Sequence, residues 1–96
     1  MRVSFDPDKR VRTLKDRGLD FEDARRVFSG ITVEIEDTRR NCDERRIICY
    51  GMLAGRMVVI CYTARGAVRH VFRMRKANDR EKARFSSRLE VGPRES

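Results

Sequence analysis

The chain has one histidine, three cysteines, two prolines and no tryptophan among its 96 residues. Cys42, Cys49 and Cys61 are odd in number and unpatterned in spacing, so they indicate neither a disulfide framework nor a paired CxxC zinc site and read as small buried side chains. No apolar run approaches the roughly 20 residues of a membrane span. The opening segment, MRVSFDPDKR, has no apolar stretch of the signal-peptide kind. A soluble, cytoplasmic protein without a membrane partner is expected. The chain also lacks any suggestion of a Ser-His-Asp or Cys-His pairing, HxExxH-like spacing or a Gly-rich phosphate loop before a helix, which disfavours triad and metal enzymes; no cofactor is expected. Few aromatics are placed to stack bases, only Tyr50, Tyr62 and Phe85, which argues against a pure single-strand binder.

Positive charge is what the chain has in excess. Its 23 Lys and Arg against 15 Asp and Glu give a net charge of +8, a balance that calls for an anionic partner, nucleic acid first. With 40% apolar and 40% charged residues, it can bury a modest core and face water elsewhere. Its length suits one domain over residues 1–96, with a core at about 5–85 and a C-terminal helix and mobile tail beyond. Basicity is concentrated. Through Ala64 there are 13 basic and 11 acidic residues, net +2; the remainder carries 10 and 4, net +6.

The pattern predicts an α+β domain of two N-terminal helices, a four-stranded antiparallel meander and a C-terminal helix, with helices on one sheet face and the other open. Asp6-Pro7 caps a helix over Pro7–Arg17 that stops at Gly18, with Val11 and Leu14 as its only apolar anchors. Asp20 caps a second over Phe21–Phe28, where Phe21, Ala24, Val27 and Phe28 recur at helical spacing. Alternation marks a strand over Ile31–Glu36, and a polar loop over Asp37–Glu44 precedes a second strand, Arg45–Leu53. Ala54-Gly55 makes a turn into Arg56–Thr63, whose apolar run on both faces predicts the centre of the sheet. After Arg65-Gly66, the fourth strand, Ala67–Arg75, directs Val68, His70, Phe72 and Met74 one way and Arg69, Arg73 and Arg75 the other. A charged helix over Asp79–Leu89 follows.

Period two places those three strand arginines in a row on one face, with Arg73 and Arg75 about 7 Å apart, close to the phosphate repeat of a nucleic-acid strand. His70 reads as a core-facing structural residue. What remains for catalysis is Arg, Lys and Glu: cations stabilise the pentacovalent phosphate, a carboxylate or a lysine of lowered pKa moves the proton, and RNA supplies its own 2′-OH nucleophile. Glu44, in the loop with Arg39, Arg40 and Arg46, is the best carboxylate candidate.

The ordered elements Phe5-Asp6-Pro7-Asp8-Lys9, Gly18-Leu19-Asp20-Phe21-Glu22-Asp23-Ala24 with Val27-Phe28, Asp37-Thr38-Arg39 and Glu44-Arg45-Arg46 resemble the BrnT toxins of bacterial type II toxin-antitoxin systems. Tyr62-Thr63-Ala64-Arg65-Gly66, Arg69, Met74-Arg75-Lys76-Ala77 and Arg80-Glu81 extend the resemblance to about residue 85. It implies a RelE-like fold and a metal-independent endoribonuclease that cleaves mRNA, free or on the ribosome, and slows translation. The implied partner is a BrnA-like ribbon-helix-helix antitoxin, through which alone the protein would meet DNA. The implied site is Arg39, Glu44, Arg46, Arg65, Arg69 and Arg75, with Lys9 and Lys76 as helpers. In that scheme Arg65, Arg69 and Arg75 hold the scissile phosphate, Glu44 assists the 2′-OH, and Lys9, Arg39, Arg40, Arg46, Arg73 and Lys76 bind RNA. Both histidines of the family pattern are replaced: Asp16-Arg17-Gly18 stands for its Lys-His-Gly turn and Arg39-Arg40 for its Arg-His pair. Proton transfer by either would be lost here; transfer by Arg or Glu would persist. The alternative is a non-catalytic basic module that binds RNA or a partner within a toxin-antitoxin repressor complex.

Overall fold

A computed structural model describes residues 2–38 and 45–89. Its elements are β1 (Arg2–Phe5), α1 (Pro7–Arg17), a 3-10 turn (Phe21–Asp23) running into α2 (Ala24–Phe28), β2 (Thr32–Glu36), β3 (Arg46–Leu53), β4 (Arg56–Arg65), β5 (Val68–Lys76) and α3 (Asp79–Leu89). The class is α+β, but the sheet has five strands in the order β1-β5-β4-β3-β2 and is mixed, not a four-stranded antiparallel meander. The added strand, β1, pairs in parallel with β5, from Arg2 opposite Val68 to Phe5 opposite Val71. Four residues alternate too briefly to signal a strand, and a partner 66 positions away leaves no turn motif between them.

Helices pack on both faces, where one covered face was expected. On one side Phe21, Ala24, Val27 and Phe28 are buried against Ile47, Cys49, Ile60, Tyr62, Val71 and Met74. Phe21 meets Phe5 edge-on at 5.9 Å, and Phe28 meets Tyr62 at 5.3 Å. On the other side α3 brings Phe85 and Leu89 onto Tyr50, Met57 and Val59, leaving the rest of that face to other residues. β4 is the central strand, as its two-sided apolar run predicts. Ala54 and Gly55, at φ 52° and 80°, form the tight turn before it, both in the left-handed region that two-residue hairpins need.

Caps set the ends of α1: the Asp6 carboxylate accepts from the Asp8 N–H at 2.9 Å, and the Gly18 N–H donates to the Leu14 carbonyl at 3.0 Å. The two apolar residues expected to anchor it do not. Val11 and Leu14 are 63% and 43% exposed, and no residue of the helix is buried. The side toward β5 is polar instead, with Lys9, Arg12 and Thr13 bordering a groove with Phe72 and Met74, while Arg10 forks onto the Asp20 carboxylate at 2.7 and 3.0 Å. Two apolar residues three apart define a stripe but not its direction.

The strongest departure lies in β5. Cys61 pairs with Arg73 and Tyr62 with Val71, so Phe72 has no partner on β4 and the strand is bulged there. Unbroken alternation placed Arg69 with Arg73 and Arg75. The extra residue shifts the phase, so Arg69 shares the α2 side with Val71 and Met74, whereas Arg73 and Arg75 occupy the α3 side. His70 moves with that correction, to the opposite side from Val71 and Met74.

Gly51 records how closely α2 crosses β3. A Cβ there would stand 2.5 Å from Cγ1 of buried Val27 and 3.2 Å from Cγ2 of Thr32. Gly51→Ala should therefore cost about 1–3 kcal/mol of stability through overpacking, measured as a lower urea midpoint with unchanged slope.

Candidate active site

Where α3 does not cover its sheet face, a cleft of about 280 Å³ opens between β3, β4, β5 and the start of α3. Arg46, Arg73 and Arg75 enter it with Phe72, Asp37 and Glu81. The Arg46 guanidinium lies 5.1 Å from the centre of the Phe72 ring, a stacking arrangement that fixes the cation while leaving its N–H edge for an anion. The bulge makes this contact possible by presenting Phe72 and Arg73 in succession on the cleft side.

Arg75 is engaged otherwise. It donates to both oxygens of Glu81 at 2.9 and 2.8 Å, and Glu81 closes a reciprocal cap with Asn78 at the head of α3. Those bonds, Arg75 first, hold the Glu81 carboxyl below its usual range and raise the Arg75 guanidinium. Tyr50, packed at 4.3 Å on Phe85, has its hydroxyl pKa pushed up mainly by burial. Arg75 thus fastens α3 to β5.

Arg69 belongs to the other face. Its guanidinium lies 4.7 Å from the Phe28 ring centre and 4.9 Å from that of Tyr62, and donates to Glu34 at 3.2 Å. The Tyr62 hydroxyl donates to the same Glu34 oxygen at 2.9 Å. Burial, then that bond, pushes Tyr62 up to about 12, and burial likewise takes the Cys49 thiol up to about 12, which makes it a poor nucleophile. The cluster ties edge strand β2 to α2 and β5.

Of the other sequence-predicted residues, Arg65 is exposed at the end of β4 on the cleft's side, whereas Lys76, opposite Val58, lies on the α2 side. Lys9 borders Phe72 and Arg73 from α1. Arg39, Arg40 and Glu44 lie outside the described residues. The structure therefore brings Arg46, Arg73 and Arg75 into one cleft with Phe72, puts Arg65 farther up the same face, and separates Arg69 and Lys76 from that group. Phe72 and Glu81 were missed, the first because a bulge has no mark in a period-two pattern. Asn78 and Glu81, three apart at a helix start, carried a capping signal that could have found the second. Among the described residues neither Arg46 nor Arg73 is held by a carboxylate, and no three His, Cys, Asp or Glu side chains are grouped to hold a metal.

An α+β domain with one guanidinium, Arg46, stacked on Phe72 and a second, Arg73, in the same open cleft offers an anion unneutralised donors among the described residues. The sequence comparison is narrower: residues 5–81 match the family described as the ribonuclease toxin BrnT of type II toxin-antitoxin systems, and the chain belongs to that family. RNA substrate and an antitoxin partner go with that membership. No match was found among curated proteins. No helix among the described residues is long and apolar enough to cross a membrane.

The Arg75–Glu81 pair makes an acid-limb prediction. Glu81 titrates below its ordinary 4.5 in the folded chain, so its contribution is present above that value and is lost as pH falls through the lower folded one. Glu81→Gln should be less stable than the parent at neutral pH, and the gap should narrow as pH drops below about 4.5, followed by thermal melts across that range.

Proposed function

We propose that this chain is a metal-independent endoribonuclease that cuts mRNA and slows translation. The observation that carries the reading is that Arg46, stacked on Phe72, and Arg73 line one solvent-open cleft. Two guanidiniums from different strands can grip two oxygens of one phosphate and gain most as charge builds on the pentacovalent phosphorus. Phe72, beneath Arg46, keeps that grip rigid. Arg65 supplies a further cation for the flanking phosphate, and Lys9 borders the groove on the α1 side. Attack by the 2′-OH on its own phosphate leaves a 2′,3′-cyclic phosphate and a free 5′-hydroxyl, chemistry that needs no external nucleophile. Arg69 enters this scheme only as the clamp that holds β2.

The proposed antitoxin is a BrnA-like ribbon-helix-helix protein whose inhibitory segment is acidic. Net charge of +6 beyond Ala64 repels itself in the free toxin, and a partner of opposite sign relieves that cost, associates quickly and covers the cleft.

Cleavage of a mixed RNA by antitoxin-free protein with EDTA present tests the reading. The parent should give cyclic-phosphate ends, and Arg46→Ala with Arg73→Ala should lower the rate by about 10²-fold or more. Arg69→Ala should unfold more readily yet cut at close to the parent rate while folded. RNA bound in a salt-sensitive manner but left intact by the parent would instead identify a non-catalytic binding module.

A further inference from the structure

We infer that the groove between α1 and β5 is a second RNA subsite, which holds the nucleotides on one flank of the scissile phosphate; the inference rests on the ribonuclease reading above. β1 pairs with β5 only from Val68 to Val71, so the other half of the strand, residues 72–76, has no strand on that side. α1 runs alongside it instead, and a groove of about 320 Å³ lies between the two. Lys9, Arg12 and Arg17 border it from α1 and Arg73 from β5, four cations against one carboxylate, Asp16.

Two features mark this groove as more than a solvated basic face. It is continuous with the cleft: Phe72 and Arg73 line both, so a strand whose scissile phosphate lies at Arg46 and Arg73 passes from one into the other. At the far end Arg17 and Asp16 share a hollow with Arg75 and Lys76, which gives Lys76, remote from Arg46, a place on the same track. The second feature is how α1 is held. Its groove side carries cations, while Val11 and Leu14 face water, the opposite of a helix packed for stability alone. Its two caps and the fork of Arg10 on Asp20 fix it in that orientation. Among the described residues no carboxylate holds Lys9, Arg12 or Arg17.

The cations are strung along the helix rather than converged on one point, which suits a chain of phosphates and not a single small anion. Lys9 and Arg17 are eight residues apart, a rise of about 12 Å and the reach of about two extended nucleotides. Lysine and arginine side chains on an open helix meet the sugar-phosphate backbone, so the groove adds affinity without reading bases.

Binding of uniformly 2′-O-methylated RNA, which has no free 2′-OH and stays whole, measures the subsite across a range of salt, with cleavage of the unmodified strand followed in parallel. The triple variant Lys9→Gln, Arg12→Gln, Arg17→Gln should bind about tenfold or more weakly than the parent, with the slope of log affinity against log salt shallower by about 1.4, or about 0.7 for each of two phosphates. An equal loss of charge through Lys15→Gln, Arg25→Gln and Arg88→Gln, all outside groove and cleft, should stay within about threefold of the parent at physiological salt. All six residues are exposed, so the thermal melts of both variants should match the parent's. Trimming the RNA from one end should erase the difference between the variants, and trimming from the other should preserve it. Groove and control variants that bind RNA alike, while the parent cuts it, overturn this inference and leave the ribonuclease reading intact. If in that case poly-glutamate binds the parent but not the groove variant, the groove belongs to an acidic protein segment instead. A parent that leaves unmodified RNA whole overturns both.

Discussion

Because Phe72 has no partner on β4, β5 changes phase halfway along its length, and the arginines of one short strand are divided between two environments. Arg69 goes to the α2 side, where two aromatic rings and Glu34 receive it; Arg73 and Arg75 go to the α3 side. The same extra residue puts an aromatic ring under Arg46 and turns His70 toward Ser4. Without it, three guanidiniums would crowd one face and the cleft would have no floor.

The division separates two uses of positive charge that composition cannot distinguish. Arg10, Arg69 and Arg75 each meet a carboxylate at 2.7–3.2 Å and fasten one element to another: α1 to the turn before α2, β2 to β5, and β5 to α3. They stabilise a small domain whose core must serve a sheet with helices on both sides. Arg46 and Arg73 lack such partners among the described residues, and so keep their capacity for an anion. A net charge of +8 is therefore a poor count of the cations that RNA can meet.

How far the sequence was legible follows from which interactions are local. The caps at Asp6 and Asp20, the apolar spacing from Phe21 to Phe28 and the run from Met57 to Tyr62 act within a few residues, and the elements they mark are close to those observed. β1 depends on a partner 66 positions along the chain, and the side that α1 presents to β5 depends on what β5 offers it; neither has a local signature. The site suffered the same limit. Arg46 was placed in the site by the family resemblance and Arg73 among RNA-binding residues by its charge, but their sharing a cleft with Phe72 rests on a one-residue slip that alternation, taken as unbroken, cannot show. That slip also turned His70 from an apparent core residue to the opposite face, where it meets Ser4.

The parallel pairing of β1 with β5 has a consequence for the cell that makes this protein. During synthesis β1 leaves the ribosome first and can find its place only after β5, 66 positions later, has followed it. Ser4 and His70 meet only at that moment, and so do the strands that bring Arg46 and Arg73 together. A nascent chain that still lacks β5 therefore carries no assembled cleft, whatever part of the sheet has already formed.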